Sequence, residues 1–228
     1  QGHIIKALAT MLKGRTAHAF LFHGPSGCGK TTLARICAAK LGCGPGEVHE
    51  VDAATNNGVE NVRKLQEAVI YKPLTGGDTV AVILDEAHRA TAQAFDALLK
   101  IIEEPPPHLF WFFCTTEPTK LPITVRNRCQ QFAVRAVKPD ELEQLLVDID
   151  NAEVLGLPKE VLDYIASKSD GSPRRALVNL ERCASAGVTT PREAAVAIEQ
   201  VVNEETVLEL CRFLCQFNNK RPWTKAAD

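Results

Sequence analysis

Along the first two-thirds of the chain, short apolar runs alternate with segments whose apolar residues recur every three or four positions. The segments Ala19–His23, Val48–Asp52, 79–84, Leu109–Thr115 and 130–134 read as strands. A glycine-rich turn follows the first of them and leads into a helix ending near Leu41. Val59, Val62, Leu65 and Val69 have helical spacing, and so does the stretch 92–102, which Pro105-Pro106-Pro107 stops. Strands that are apolar on both faces and separated by helices predict a parallel sheet covered on both sides. Beyond Lys138-Pro139 the strand signal ends. The stretches 140–147, 159–168, 173–186, 192–201 and 203–217 read as helices. The expected organisation is an α/β domain over 1–136, a small helical domain over 137–202, and the start of a third, truncated helical region over 203–228. A chain opening on Gln1 and closing just after a lone helix is expected to be a fragment. There is no internal repeat.

Composition narrows the classes. The 228 residues are 45% apolar and 24% charged, with a formal net charge of −2, as in an ordinary globular protein. The longest apolar runs, 80–84 and 109–114, fall far short of the roughly 20 residues of a membrane span. No signal-peptide pattern opens the chain. No membrane association is expected, and a cytoplasmic location is. Residues 1–46 carry six basic side chains (Lys6, Lys13, Arg15, Lys30, Arg35, Lys40) and no acidic one, so the remainder holds 20 basic and 28 acidic groups. The opening segment therefore either faces phosphate or presents solvated helix faces. The eight cysteines (28, 37, 43, 114, 129, 183, 211 and 215) form no CxxC pair and no zinc-finger spacing with histidine. Several lie inside apolar runs, which fits reduced core residues.

Gly24-Pro25-Ser26-Gly27-Cys28-Gly29-Lys30-Thr31 matches the phosphate-binding pattern GxxxxGK[ST], between a strand and a helix, with Thr32 next in line. Glycines let successive backbone N–H groups point at one phosphate, and the helix N-terminus adds its dipole. Lys30 is expected to reach the β- and γ-phosphates of ATP, and the Thr31 hydroxyl to reach Mg2+. The strand 80–84 leads into Asp85 and Glu86. Asp85 is expected to hold the Mg2+ shell, and Glu86 to orient and activate water. Asp85-Glu86-Ala87-His88 also spells the DEAH box of one helicase superfamily, but those helicases need two RecA-like domains.

The later motifs resemble AAA+ ATPases, and more narrowly clamp-loader subunits of the bacterial DNA polymerase III gamma/tau kind. Phe110-Trp111-Phe112-Phe113-Cys114-Thr115-Thr116-Glu117-Pro118 resembles a sensor-1 strand, with Thr116 best matching the polar position and Thr115 adjacent. Lys120-Leu121-Pro122-Ile123-Thr124-Val125-Arg126-Asn127-Arg128-Cys129 resembles the stretch ending in Ser-Arg-Cys, with Asn127 replacing the serine. The resemblance implies that Arg128 acts in a neighbouring subunit's ATP site. Gly171-Ser172-Pro173-Arg174-Arg175-Ala176-Leu177 resembles a sensor-2 helix start, with Arg174 at the sensor position. Ser172 and Pro173 make a good N-cap and first-turn pair, yet two arginines there oppose the helix dipole, as a functional site can.

Further shared pieces are His18-Ala19-Phe20-Leu21-Phe22, Val51-Asp52-Ala53-Ala54, Ala94-Phe95-Asp96-Ala97-Leu98-Leu99-Lys100 and Glu103-Glu104-Pro105-Pro106. The resemblance implies a P-loop AAA+ three-layer αβα domain, a helical lid, and the beginning of a collar. It implies ATP and Mg2+ as cofactors. It implies sister subunits in a heteropentamer, a sliding clamp and primer–template DNA as partners. Arg89 and Lys100 are the candidate contacts to DNA phosphates. Besides Asn127, the chain departs from that pattern at three places. Cys43 stands alone where the family carries a four-cysteine module, so zinc is not expected. No adenine-contacting segment precedes Gln1 in this sequence, and the loop Thr55-Asn56-Asn57-Gly58 is neutral. Two other functions fit the motifs less well: an AAA+ switch subunit with weak turnover, and a helicase or branch-migration motor.

Overall fold

The computed structural model describes residues 2–56, 58–71 and 78–199. Helix α1 spans Gly2–Gly14, β1 Ala19–His23 and α2 Lys30–Lys40. Then come β2 (Val48–Asp52), α3 (Val59–Val69), β3 (Val80–Asp85), α4 (Ala92–Glu103) and β4 (Leu109–Thr115). A short helix α5 (Ile123–Arg126) precedes β5 (Gln130–Ala133). Four helices follow: α6 (Pro139–Glu153), α7 (Lys159–Ser167), α8 (Pro173–Ser185) and α9 (Pro191–Glu199).

The five strands form one parallel sheet in the order β2-β3-β4-β1-β5. The predicted α/β class and parallel sheet therefore stand. Alternation along the central strands divides their side chains between two apolar layers. Leu21, Val82, Leu84, Trp111 and Phe113 pack with α3, α4 and α5. Phe20, Phe22, Ile83, Phe110 and Phe112 pack with α1 and α2 on the other face. Phe20 and Phe112 stack at 5.3 Å between ring centroids, and Trp111 and Phe113 at 6.0 Å. Each fully buried ring contributes about 1.5–3 kcal/mol of transfer free energy.

A third apolar cluster joins α6 to α9 through Leu142, Leu146, Ile165, Leu180 and Ala194. Several boundaries shift by a residue or more from the sequence expectation, two of them for a clear physical reason. The strand expected at 79–84 is Val80–Asp85, because Asp85 continues the ladder opposite Asp52. Thr79 instead turns its hydroxyl to the Leu41 carbonyl at 3.0 Å. The helix expected at 140–147 continues to Glu153, because buried Asp150 stays in the helix and accepts the Leu157 N–H at 3.0 Å. Val154, in the left-handed region at φ 55°, closes it. The helix expected at 203–217 lies outside the described residues.

Of the cysteines, Cys28, Cys37, Cys43, Cys114, Cys129 and Cys183 are free thiols. Burial pushes Cys37 up to about 11 and Cys129 up to about 12 from an ordinary 9.0. The fold thus favours the neutral thiols. Their contribution to stability is complete below pH 9.0 and is lost as the pH rises through about 11 to 12. Urea unfolding is expected to show a falling midpoint across that window. Serine at both positions should flatten the fall, and an unchanged slope would contradict the burial argument.

Candidate functional site

The site lies at the carboxyl ends of the central strands, where ligands gather in open α/β sheets. β1 sits between β4 and β5, and the chain turns sharply at its end. The Gly24 N–H donates to the Thr115 carbonyl at 3.2 Å, and the Val134 N–H donates to the His23 carbonyl at 2.8 Å. A Cβ on Gly24 (φ 149°) would lie 1.9 Å from the Val134 oxygen, so only glycine fits. Gly29, at φ 91°, caps α2 in the left-handed region. The turn is therefore shaped for inward-facing amides.

Lys30 is 6% exposed, and its ammonium donates to the Gly24 and Pro25 carbonyls at 2.9 and 2.8 Å. The Thr31 hydroxyl donates to Asp85 Oδ2 at 2.8 Å, while the Glu86 N–H donates to Asp85 Oδ1 at 2.9 Å. Glu86 itself adopts φ 45° and ψ 41°, a left-handed backbone rare for a residue with a Cβ. A cavity of about 370 Å³ is lined by Ser26, Gly27, Gly29, Lys30, Thr31, Thr32, Asp85 and Glu86 from the sheet side. Pro173, Arg174, Leu177 and Val178 of α8 line the other side.

The P-loop and α8 touch directly. The Arg174 N–H approaches the Gly27 carbonyl at 3.4 Å, and the Cys28 thiol points at the Gly171 carbonyl at 3.7 Å. Ser172 caps α8 by accepting the Arg175 N–H at 3.4 Å, and Arg175 pairs with Asp170. Of the two arginines that oppose the dipole, Arg174 therefore lines the cavity and Arg175 is tied to a neighbouring carboxylate.

The polar group at the end of β4 that contacts this machinery is Thr115. It is fully buried, with its hydroxyl 3.0 Å from His88 Nδ1 and accepting the Glu117 N–H at 3.0 Å. Thr116, the expected position, follows one residue later and is half-buried. His88 was not singled out as a site residue in the sequence. Its place two residues after Glu86 in the DEAH spelling was the available signal. Lys120 holds the Glu117 carboxyl below the ordinary range through a 2.9 Å hydrogen bond.

Arg128 is not among the residues lining the cavity. Its guanidinium donates to the Thr124 carbonyl at 2.8 Å and pairs with Glu103 at 2.5 Å. Arg89 and Lys100 are exposed. Within the acid-free opening segment, Arg35 forms a two-pronged pair with Glu50 at 2.8 and 2.7 Å, and Arg15 donates to Thr79 at 3.2 Å. Among the described residues, no three His, Cys, Asp or Glu side chains come together as a metal group. Nor is any described helix long and apolar enough to cross a membrane.

Fold and site together define a P-loop protein of the AAA+ class. Among solved structures, the Holliday junction branch migration motor RuvB of Thermotoga maritima shares this architecture with a TM-score of 0.69 at 21% identity. That match covers 89% of this chain and 70% of the other. Within the class, the chain resembles gamma/tau subunits of bacterial DNA polymerase III over most of its length. It is 36% identical to the gamma/tau subunit of Mycobacterium tuberculosis, covering 83% of this chain and 37% of the relative. It is 33% identical to the tau subunit of Escherichia coli, over 97% of this chain and 38% of the relative. The tau subunit of Bacillus subtilis is 35% identical, over 94% and 42%. The chain thus spans about 37–42% of the length of these relatives. A family model described as DNA polymerase III, delta subunit, matches residues 47–138.

The packing at Gly27 can be tested by itself. A Cβ there would lie 2.3 Å from Ser172 Oγ, on a backbone at φ 74°. Gly27→Ala is expected to cost about 1–2 kcal/mol from the backbone alone, with the clash added. Adding Ser172→Gly should return only the steric part, as read from urea midpoints. Full additivity of the two changes would contradict the contact.

Proposed function

We propose that the chain is the ATP-binding and ATP-hydrolysing part of a sliding-clamp-loader subunit acting in DNA replication. The observation that carries the reading is the Thr31–Asp85 hydrogen bond beside Glu86 in the P-loop cavity. A hydroxyl and a carboxylate held oxygen to oxygen suit Mg2+, which takes few protein ligands and completes its shell with phosphate oxygens and water. The lysine, the inward-facing loop and the size of the cavity fit a nucleotide triphosphate. Bound Mg2+ would neutralise charge on the phosphates.

The residues divide the work. Amides of the loop from Ser26 to Lys30 and the α2 N-terminus cradle phosphate. Lys30 exchanges its carbonyl partners for phosphate oxygens. Glu86 orients water and takes up its proton. Arg174 brings positive charge from the lid, and Thr115 and Thr116 lie at the sensor-1 position. Arg128 reaches the site of a neighbouring subunit, while Arg89 and Lys100 face DNA phosphates. The working division is an AAA+ domain over 1–136, a lid over 137–202 and the start of a collar over 203–228. The partners are sister subunits in a heteropentamer, a clamp and primer–template DNA, in the cytoplasm. The similarity to gamma/tau subunits supports the loader part of this reading.

Steady-state ATPase of the full-length protein with its sister subunits tests it. Clamp plus primer–template is expected to stimulate turnover, and no stimulation would remove the loader role. Lys30→Ala should abolish nucleotide binding. Glu86→Gln should keep binding and lose about 10²–10⁴-fold in turnover. In the assembled complex, Arg128→Ala should spare binding and lose about 10³-fold or more; unchanged turnover would remove its role in trans.

A further inference from the structure

The residue that links Glu86 to the rest of the molecule is His88. Its side chain is 9% exposed and lies between three groups, Glu86 of its own turn and Thr115 and Glu117 at the end of β4. Nδ1 is 3.4 Å from Glu86 Oε2 and 3.0 Å from the Thr115 hydroxyl. Nε2 is 3.5 Å from Glu117 Oε1. Glu117 is in turn bound to Lys120 at 2.8 Å, with Arg89 near enough to favour its charged form. A nearly buried imidazole between two carboxylates and a hydroxyl is not needed for core packing. The turn that presents it, Ala87–Arg89, is closed by the Arg89 N–H donating to the Glu86 carbonyl at 2.8 Å. The left-handed backbone of Glu86 starts that turn. Strain and imidazole thus act on one carboxylate.

We propose that His88 is a positioning residue for Glu86: its ring, anchored through Nδ1 to the Thr115 hydroxyl at the buried end of β4, stands against the carboxylate at 3.4 Å. Resting on the ATPase reading above, this assigns the last residue of the Asp85-Glu86-x-His88 run a function in turnover and not in nucleotide binding. The ring also ties Glu86 to the loop that begins at Glu117 and leads through Lys120 and α5 to Arg128. A shift of that loop would move Glu117 and Thr115 relative to the ring. The Glu86 carboxylate, which shares the Nδ1 edge with Thr115, would then change its aim. Glu86 is thereby mechanically joined to the segment carrying the arginine assigned to a neighbouring site.

The test uses the full-length protein assembled with its sister subunits, reading ATP affinity and single-turnover hydrolysis separately. His88→Ala is expected to leave ATP affinity unchanged within twofold and to slow hydrolysis by about 10- to 10²-fold. An asparagine amide nitrogen occupies the place of Nδ1, and a glutamine amide nitrogen that of Nε2. His88→Asn should therefore recover most of the rate and His88→Gln should not. In a Glu86→Gln background, His88→Ala should add no further loss, because the group it positions is already gone. Losses that multiply in the double variant would overturn the proposal, as would weaker ATP binding at an unchanged hydrolysis rate. Should His88→Ala not fold, the His88→Asn and His88→Gln pair carries the test, and equal hydrolysis rates in those two would overturn the proposal. A parent complex that binds ATP and never hydrolyses it would overturn the ATPase reading. A parent that hydrolyses normally beside an unaffected His88→Ala would overturn this inference alone.

Discussion

Parallel pairing of β1 between β4 and β5 is the constraint on which the site depends. It brings the ends of three strands within hydrogen-bond reach of one glycine. The Gly24 N–H is held by the β4 end, and its Cα is pressed against the carbonyl that follows β5. That leaves the loop one direction to leave in, toward α2. Everything downstream follows from this exit. Lys30 falls on the first turn of α2, and Thr31 falls opposite Asp85 at the end of β3. The buried aromatic layers on both faces keep β1 and β4 in register, so the energy that fixes the phosphate loop comes chiefly from side chains remote from it.

The second constraint is the closeness of α8. The Gly171-Ser172 corner meets the P-loop at Gly27 and Cys28 with no room for a larger side chain at Gly27. The helix therefore registers small changes in the loop's backbone through direct contact. Ser172 both caps α8 and fills the space over Gly27, which links the stability of the helix start to the shape of the loop.

Much of this was legible in the sequence because the signals were local. Short continuous apolar runs rich in aromatic residues, such as 109–114, fit strands buried on both faces, and glycine spacing before Lys30 has one common structural use. The end of α6 was misplaced because Asp148, Asp150 and Asn151 look like a polar loop. Asp150 is tolerated in the helix because it serves a backbone N–H seven residues on, a contact with no sequence signature. Which of Thr115 and Thr116 turns into the fold depends on the strand's parity, which pairing sets: Thr115 is fully buried and Thr116 half-buried. His88 was hidden by its motif, since the letters after Asp85-Glu86 point to a superfamily before they point to a geometry.

The pairing of Arg128 with Glu103 carries a consequence for assembly. Both side chains are exposed by more than a third, and ion pairs so placed contribute about 0–1 kcal/mol. The guanidinium is turned back onto α5 through the Thr124 carbonyl and lies outside the cavity of its own chain, and its pairing with Glu103 is too weak to compete with a phosphate. In the proposed assembly, Glu103 is a parking place that surrenders the arginine to a stronger anion at little cost.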